Sequence, residues 1–490
     1  MRLTASDFYK LHRPSRCKLR IYLDTSDVQP SPPSPYEEVL LTFGERHERA
    51  HLETLGPFKD LRMGDFAERD ENTRAAIDER VAVLYQPFFR AETNLNGQQC
   101  EIFGEPDFLI REGDGYVVRD AKLSRRITEK DHPEILRQLE LYGWLFEQTT
   151  GQQPVRLEVF SGASEIVSLS YDGGNAALME ITDIMNLKAA ESAPFSPVGW
   201  SKCIGCGYRD HCWPNAEQRR DVALVYGVDQ ALALTLRDDG IASYDDLVEQ
   251  HTETTLAEIA RPWGTGLHRV GKSAERIMPM ARALASNTET VIQTPDVPES
   301  ANYVMFDLEG LPPHLNELQK IYLWGIRVFG QQPSEFLPAL SGFGRDGDRE
   351  GWDSFLSNAS QMFSDYGDIP FVHWHNYEAT NLKMYVDRYG DTDGLADRVK
   401  ENLVDLLPIV QRSVALPISS YSLKVIEQYI GYERTQDEYG GDWAMAKYIE
   451  ATETDDKDLR EQVMNAILDY NREDLEATWA VLTWLKTKRA

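Results

Sequence analysis

The chain reads FGEPDFLIREGDGYVVRDAK from Phe103 to Lys122, and this stretch decides the fold around it. Apolar and β-branched residues lie on both sides of a Glu-Gly-Asp-Gly turn. We therefore predict one strand from Phe103 to Arg111, a tight turn, and a return strand from Tyr116 to Lys122. If the turn closes symmetrically, Arg111 pairs with Tyr116 and sets the register of a β-hairpin.

This register predicts that two aspartates face each other. Asp107 would lie directly opposite Asp120, with Cβ atoms roughly 4.5–5.5 Å apart. Two like charges in that position destabilise a sheet unless a positive charge, such as a divalent cation, lies between them. Lys122 shares a face with Asp120, because side chains alternate along a strand. The pattern predicts a metal site, and an exposed hairpin with a salt bridge is the alternative.

Two further segments accompany the hairpin. The residues from Phe43 to Glu48 predict the start of a helix that carries His47, and Gln138 and Tyr142 are spaced one turn apart on another helix. In this order the blocks resemble the nuclease domain of the RecB family, which has a PD-(D/E)XK core of the restriction-endonuclease type. The resemblance implies that Mg²⁺ or Mn²⁺ is held by His47, Asp107, Asp120 and the carbonyl after Asp120. It also implies that Lys122 orients or activates the attacking water, and that Gln138 and Tyr142 contact substrate phosphate.

A competing motif overlaps the first of these helices. The run His47-Glu48-Arg49-Ala50-His51 matches the His-Glu-x-x-His helix of zinc metallopeptidases. That interpretation needs a third ligand downstream and leaves the acidic hairpin unexplained. A zinc metallopeptidase and a plain surface helix are the two alternatives at this place.

The cysteines predict a second kind of metal site. Cys203, Cys206 and Cys212 form a compact run, and Cys17 lies far upstream. Four thiolates suit a tetrahedral sulfur site. The split resembles the iron-sulfur subset of RecB-type nucleases, which implies a [4Fe-4S] cluster that joins the two ends of the domain. Zn²⁺ on the same thiolates, with His211 as a substitute ligand, is the alternative.

Another set of acidic residues lies in the last third of the chain. Asp307 and Glu309 share one face of an apolar strand, because side chains alternate with period two. Glu378 follows a later strand, and Tyr470 and Asp474 are spaced one turn apart on a helix. This order resembles the RNase H-like exonucleases of the DEDD superfamily, in the branch with a Tyr-x-x-x-Asp motif.

The resemblance implies a role for each of these residues. Asp307, Glu309 and Asp474 would bind two metal ions, Mg²⁺ or Mn²⁺, and Tyr470 would position the attacking water. The family has aspartate where this chain has Glu378, so this fourth ligand reaches one methylene further and leaves the affinity for the second metal open. Two residues of a later segment are implied to line the substrate, Tyr421 and Lys424.

The length of 490 residues suits about three domains at roughly 100–200 residues each. We predict an α/β multidomain protein. The segments are a RecB-type domain at 1–220, a helical connector at 221–292, a linker at 293–301 and an RNase H-like domain at 302–490. The connector resembles a helix-hairpin-helix fold, and a plain helical spacer is the alternative.

The net charge of −29 opposes binding to a phosphodiester backbone. Local basic patches and bound metal ions would offset this field. No apolar run approaches the ~20 residues that span a bilayer, and no signal peptide is visible. The cysteine spacing suits a reducing compartment. We therefore expect a cytoplasmic protein without a membrane partner. The chain lacks a phosphate-loop motif, so any unwinding would need a helicase in trans.

We therefore expect a metal-dependent nuclease with two active sites. The expected substrate is DNA rather than RNA, mainly single-stranded, and the expected reaction is exonucleolytic hydrolysis. Two alternatives stay open: one active site with the other domain retained as a nucleic-acid-binding module, or a ribonuclease.

Overall fold

The structure is a computed structural model, which describes residues 1–312, 319–344, 347–436 and 440–490. The chain divides into two compact units, 1–196 with 202–211 and 197–201 with 212–490. Both units combine helices with sheets, so the predicted α/β multidomain class is confirmed. The division into four segments stays a prediction.

The first unit begins with short elements and continues into a sheet-rich region. Its strands are β1 (Arg2–Thr4), β2 (Lys59–Asp60), β3 (Val83–Tyr85), β4 (Phe89–Leu95), β5 (Gln98–Gly104), β6 (Phe108–Glu112), β7 (Gly115–Ala121), β8 (Leu157–Phe160) and β9 (Ile166–Leu169). Its helices are α1 (Ser6–His12), α2 (Lys18–Leu23), α3 (Pro35–Thr54), α4 (Phe66–Asp78), α5 (Pro133–Thr150) and α6 (Asn175–Lys188). Two short helices follow, α7 (Trp200–Cys203) and α8 (Arg209–Gln218), and the division into units falls within each of them.

A six-stranded sheet of order β2-β3-β6-β7-β8-β9 carries the hairpin, and β1, β5 and β4 form a second sheet. β6 and β7 are antiparallel, whereas β7 and β8 are parallel. Helix α5 packs its apolar face on these sheets, with Leu139 and Leu145 in one core with Val118 and Leu157. This packing fixes the distance between the helix and the hairpin.

The predicted first strand of the hairpin is wrong in its extent. Instead of running from Phe103 to Arg111, the chain leaves one sheet after Gly104 and enters the other at Phe108. Pro106 lies at the break, and it has no amide hydrogen to donate to a ladder. The break places Asp107 just outside β6, directly before Phe108, the first paired residue.

Helix α3 also begins earlier than Phe43, the start that the sequence suggested. Ser34 caps it by accepting a hydrogen bond from the amide of Glu37, and the Glu37 side chain accepts from the amide of Ser34. This capping box, with Pro35 at the first helical position, starts the helix. The histidine helix is therefore long, and His47 lies well inside it.

The second unit begins with a mostly helical region and ends in a larger sheet with its helices. Its strands are β10 (Ala260–Trp263), β11 (Gly266–Arg269), β12 (Thr290–Val291), β13 (Asn302–Leu311), β14 (Lys320–Gly330), β15 (Leu337–Leu340), β16 (Phe371–His373), β17 (Leu403–Asp405) and β18 (Val414–Ala415). Its helices are α9 (Gln230–Asp238), α10 (Tyr244–Gln250), α11 (Glu253–Ala257), α12 (Ala274–Ser286), α13 (Asp348–Tyr366), α14 (Tyr377–Tyr389), α15 (Leu395–Glu401), α16 (Leu406–Ser413), α17 (Leu423–Tyr429), α18 (Gly441–Glu453) and α19 (Lys457–Lys486).

A five-stranded sheet of order β15-β14-β13-β16-β17 forms the centre of this unit. β13, β14 and β15 are antiparallel neighbours, and β16 and β17 run parallel to β13. A core that includes Phe306, Trp324, Trp352 and Phe355 covers one face. Helix α19 packs against β13 and β14, and this contact brings the end of the chain to the acidic strand.

The connector is not wholly helical as expected. Helices α9 to α12 are present, but an antiparallel hairpin of β10 and β11 separates α11 from α12. Gly264 has a φ of +60° at the first position of the two-residue turn, a conformation that glycine adopts without strain. In the part of the chain that the structure describes, no helix is long and apolar enough to cross a membrane.

Candidate active sites

The hairpin has the register that the sequence predicts. Arg111 pairs with Tyr116, and Phe108 pairs with Arg119, so the next positions along are Asp107 and Asp120. The amide of Asp107 donates to Asp120 Oδ1 at 3.2 Å, and the amide of Ala121 donates to Asp107 Oδ2 at 2.7 Å. Each carboxylate is thus held by the backbone of the opposite strand.

Lys122 lies beside this pair. Its Nζ is 2.6 Å from Asp120 Oδ2, and its amide donates to the carbonyl of Phe160 on β8 at 2.9 Å. Burial by itself lowers the pKa of Lys122, but the carboxylates of Asp120 and Asp107 outweigh it and raise that pKa. Burial and the nearby Asp120 charge raise the pKa of Asp107 well above its ordinary value. The site therefore holds more negative charge than one lysine balances.

Helix α5 brings Gln138 and Tyr142 together, as their spacing predicts. Gln138 Nε2 donates to the Tyr142 hydroxyl at 2.8 Å. Burial, Asp120 and Asp107 raise the pKa of Tyr142, which places its hydroxyl near the acidic pair. A Cβ added to Gly104 would lie 2.8 Å from the Tyr142 ring, so only glycine lets this helix approach so closely.

His47 lies beside the neighbouring strand. Its Nε2 is 3.4 Å from the carbonyl oxygen of Phe160, the same oxygen that accepts from the amide of Lys122, and its ring stacks on the Phe160 ring at 4.7 Å. The ligand role that the resemblance implies for His47 stays a prediction.

The position of His51 argues against the zinc metallopeptidase alternative. Its Nε2 lies 3.0 Å from Nη1 of Arg119 and must accept the hydrogen bond, because a guanidinium only donates. Burial and the Arg119 charge lower the pKa of His51 to about 4. The lone pair that a zinc ion would need is therefore already occupied by a cationic side chain.

Glu48 is a candidate site residue that the sequence interpretation missed. Its carboxylate accepts from Gln86 Nε2 at 2.7 Å. Its charge contributes to raising the pKa of both Asp107 and Lys122, which places Glu48 near them. The sequence analysis treated Glu48 only as part of the His-Glu-x-x-His motif. A carboxylate next to His47 on the same helix could have indicated a further residue of this site.

Cys17, Cys203 and Cys206 of the first unit lie around one ammonium group. Lys202 Nζ donates to Ser196 Oγ at 2.8 Å, and Cys17 Sγ is 3.3 Å from the same oxygen. Burial lowers the pKa of Lys202, and the three sulfur atoms act against this shift. Burial raises the pKa of Cys17, but the Lys202 charge, the hydrogen bond with Ser196 and the interactions with Arg20 together outweigh it and lower that pKa. The thiolate, which is the metal-binding form, is thereby favoured. Cys212, the fourth predicted ligand, lies on α8.

The second acidic site combines a strand with a distant helix. Asp307 and Glu309 project from β13, and Asp474 lies on α19. One carboxylate oxygen from each of the three lies within 4.8 Å of the other two. Burial, Asp474 and Glu309 raise the pKa of Asp307 well above its ordinary value. These residues fit a divalent cation, because like charges so close together need a positive charge between them.

Neighbouring side chains orient these carboxylates. Asn471 Nδ2 donates to Asp307 Oδ2 at 2.6 Å, and Arg434 donates to Asp474 and to Glu427. A Cβ added to Gly325 would lie 1.8 Å from Asn471 Oδ1, so this glycine makes room for the amide. The sequence interpretation missed Asn471 and Arg434, although Asn471 directly follows Tyr470.

Tyr470 and Lys424 lie beside the same cluster. Burial raises the pKa of Tyr470 well above its ordinary value, and the charges of Asp474, Glu309 and Asp307 raise it further. Burial lowers the pKa of Lys424, while the charges of Asp474 and Glu309 oppose this change. Both residues thus lie next to the acidic cluster, and their implied roles stay predictions.

Glu378 does not belong to this close group. It is buried and lies 3.2 Å from His373 Nδ1, which also lies 2.6 Å from the carbonyl oxygen of His375. Its charge still contributes to raising the pKa of Asp307 and Glu309. The predicted fourth ligand therefore faces the cluster but is held by a histidine.

Tyr421 is placed in the interior and not at a substrate surface. Its hydroxyl accepts from the amide of Leu416 at 2.8 Å and contacts Met280 Sδ at 2.7 Å. The side chain is fully enclosed. These contacts give Tyr421 a packing role, which corrects its predicted role in substrate binding.

A cavity of about 350 Å³ opens beside Glu309. Its lining includes Gly310 and Tyr377, and an added Cβ on Gly310 would lie 2.6 Å from the Tyr377 hydroxyl. Burial raises the pKa of Tyr377 to about 12. The hydroxyl therefore stays protonated and able to donate a hydrogen bond near the acidic cluster.

Comparisons with known proteins find a family match within the second unit. Residues 304–486 match the RNase_H_2 family model of the RNase_H superfamily. No curated protein sequence matches the chain. The crystal structure of a protein named SSO0001 is similar at 15% identity over 39% of this chain and 77% of that one, with a TM-score of 0.21. The C-terminal part of the chain is therefore an RNase H-like domain, which indicates a nuclease-type function.

Proposed function

We propose that this protein is a metal-dependent nuclease with two active sites, which hydrolyses phosphodiester bonds in DNA, mainly single-stranded, as an exonuclease. The close group of Asp307, Glu309 and Asp474 carries the proposal. It lies in the domain that matches the RNase H superfamily. Nucleases of this type generally use divalent metals, and three clustered carboxylates are hard oxygen ligands that suit Mg²⁺ or Mn²⁺.

When bound, the metal would supply Lewis acidity toward the scissile phosphate and lower the pKa of a bound water. The protein's own residues supply the rest. Asn471 holds Asp307 in place, and Tyr470 is close enough to Asp474 to orient a water beside it. Lys424 adds positive charge where a phosphate would approach. We assign this domain to the DEDD type on the residues Asp307, Glu309, Asp474 and Tyr470.

The second active site of the proposal is the hairpin of the first unit, as a RecB-type core. Asp107 and Asp120 would hold the metal ion, with His47 or Glu48 as a further ligand on α3. Lys122 is 2.6 Å from Asp120 and would orient the attacking water. Gln138 and Tyr142 share a hydrogen bond near the same acids and would contact phosphate. The excess negative charge of this pair supports a cation here.

The proposal includes a structural [4Fe-4S] cluster on Cys17, Cys203, Cys206 and Cys212. The lowered pKa of Cys17 supports a metal-binding thiolate. Iron and sulfide analysis of anaerobically purified protein tests this assignment. Cys17→Ala should lose the iron, whereas Cys100→Ala should keep it, because Cys100 packs in the apolar core. If the wild-type protein contains zinc and no iron, the four cysteines bind Zn²⁺ and not an iron-sulfur cluster.

The proposal also includes the binding partners of the protein and its cellular location. We propose that the protein works in the cytoplasm on nucleic acid that is already single-stranded, or with a helicase in trans. The net charge of −29 requires that local groups and metal ions attract the substrate. DNA binding should therefore weaken steeply with added salt.

Nuclease assays on end-labelled single- and double-stranded DNA, with Mg²⁺, Mn²⁺ or EDTA, test the two sites. The variants are Asp120→Asn, Asp474→Asn and their combination. Each single change should remove part of the activity, and the combination should lower it at least about a hundredfold, because a metal ligand is lost at both sites. Asp114→Asn and Asp469→Asn are matched controls on exposed acids of the same two regions.

Three other outcomes discriminate the alternatives. If Asp474→Asn changes nothing while Asp120→Asn abolishes cleavage, the RNase H-like domain is a binding module. If matched RNA is cleaved faster than DNA, the protein is a ribonuclease. If the double variant cleaves like wild type, the proposed function is wrong.

A further inference from the structure

The hairpin of β10 and β11 projects from the connector with almost no buried surface. All of its residues except Arg261 are exposed. Its base is anchored, because the amide of Val270 donates to the carbonyl of Ile259 at 2.9 Å, and Arg261 Nε donates to Asp229 at 2.6 Å. An isolated two-stranded hairpin is only marginally stable in water, so the contacts at the base help to hold its shape. The rest of the hairpin, including its tip, is exposed to solvent.

The tip carries large apolar side chains. Trp263 is 56% exposed and Leu267 is 72% exposed. Trp263 pairs with Gly266, so the directly opposed position has no side chain to cover the indole ring. The guanidinium of Arg261 lies 5.0 Å from the centre of that ring. The structure therefore holds one indole in a defined orientation with an accessible surface.

The charge of this segment is opposite to that of the whole chain. Between residues 260 and 273 the sequence has Arg261, Arg269 and Lys272 and no acidic residue, whereas the chain carries −29. Asp229 and Glu258 pair with the two arginines from neighbouring segments. The Glu258 pair is exposed on both sides, and exposed pairs are weak enough to be exchanged for a phosphate.

We infer that this hairpin binds single-stranded DNA, with one base stacked on Trp263 and the phosphates of the same strand attracted by the positive charge of the segment. An accessible indole stacks on any base, but only where the base is not already stacked in a duplex. Positive charge beside the ring suits the backbone of the same strand. This inference rests on the proposed function, since it adds a binding surface for the same class of substrate.

Binding is measured without cleavage, by fluorescence anisotropy of a labelled oligothymidine of about 16 nucleotides in EDTA. Trp263→Ala should weaken binding about tenfold, and Trp263→Phe should stay within about threefold of wild type, because a phenyl ring still stacks. Leu234→Ala is the matched control, since Leu234 is an exposed apolar residue of α9 in the same connector. A duplex of the same sequence should show a smaller effect of Trp263→Ala.

Photo-cross-linking of wild-type protein to DNA that contains 5-iododeoxyuridine gives a second measurement that needs no variant. The cross-link should map to Trp263. If Trp263→Ala binds as tightly as wild type, or if cross-links map only elsewhere, the inference is overturned while cleavage with Mg²⁺ can still support the proposed function. If wild type neither binds nor cleaves DNA, both are wrong.

Discussion

The two acidic sites of this chain are built in opposite ways. In the first unit, Asp107 and Asp120 come from neighbouring strands joined by a short turn, and hydrogen bonds across one hairpin orient both. In the second unit, Asp307 lies on a central strand and Asp474 on the last helix, and they meet because the helix packs on the sheet. The first site depends on strand register, and the second depends on tertiary packing.

The cationic side chains beside the two sites also differ in being local or distant in sequence. Lys122 is partly exposed and lies on the hairpin itself, two positions after Asp120. Arg434 is deeply buried and comes from a separate segment, where it binds Glu427 as well as Asp474. A local cation can be replaced by water and ions, whereas a buried one also supports the surrounding fold. The following experiments test this comparison.

The largest effect is expected at the buried cation. Arg434→Met should lower the free energy of unfolding by about 3–5 kcal/mol, because Glu427 would remain buried without a partner. Lys122→Met should cost less, because the Lys122 side chain is partly exposed and Asp120 keeps its hydrogen bond from the amide of Asp107. Urea denaturation in EDTA measures both, with Arg472→Met as the exposed control, for which we expect less than about 1 kcal/mol. Equal losses for Arg434 and Lys122 would contradict the comparison.

Metal binding should stabilise the folded protein through both sites. At a free Mg²⁺ or Mn²⁺ concentration of about 100 Kd, each site should add about 2.7 kcal/mol, since the unfolded chain lacks the site. Thermal unfolding with and without EDTA measures this shift. Asp474→Asn and Asp120→Asn should each remove only their own part of it. A shift that survives in the double variant would show that the metal binds elsewhere.

Substitution of a tightly packed glycine beside each site, Gly325 or Gly104, should affect the two sites differently. Gly325→Ala and Gly104→Ala should each cost about 1–3 kcal/mol of stability, because the added methyl overlaps Asn471 in one case and Tyr142 and Leu145 in the other. Only Gly325→Ala should displace a residue that holds a carboxylate of the proposed metal site, so it should lower any activity of the second site more than its stability loss explains. Differential scanning calorimetry and nuclease rates measure the two effects.

Gly44→Ala is the control for these substitutions. Gly44 lies inside α3, and an added Cβ meets no atom within 4 Å. Alanine there should stabilise the helix by roughly 0.5–1 kcal/mol. A destabilised Gly44→Ala variant would show that the losses at the other two glycines are not specific.

The smallest effect concerns pH in the first unit. The pKa of His51 is lowered to about 4, so the unfolded chain binds this proton more readily than the folded one. Its contribution to stability is complete above pH 6.5 and is lost as the pH falls toward 4. We expect a loss of about 1 kcal/mol at pH 5.5 relative to pH 8, which His51→Gln should remove. Urea denaturation at the two pH values measures it.

The sequence predicted much of the first site because its geometry is local. A hairpin register follows from the turn, and Gln138 and Tyr142 meet because they are one helical turn apart. The break at Pro106 was missed, because a run of strand-forming residues does not show which sheet each part joins. Glu48 was missed for a similar reason, since its approach to Asp107 depends on how α3 packs.

In the second site, the sequence by itself determined which acids share a face. Asp307 and Glu309 follow from the period of a strand, and Tyr470 and Asp474 from the period of a helix. Only the tertiary structure decided that these two faces meet, that Asn471 and Arg434 orient them, that His373 holds Glu378, and that Tyr421 is buried. The physical reason is range: backbone geometry sets contacts between near neighbours in sequence, whereas contacts between distant segments depend on how whole elements pack.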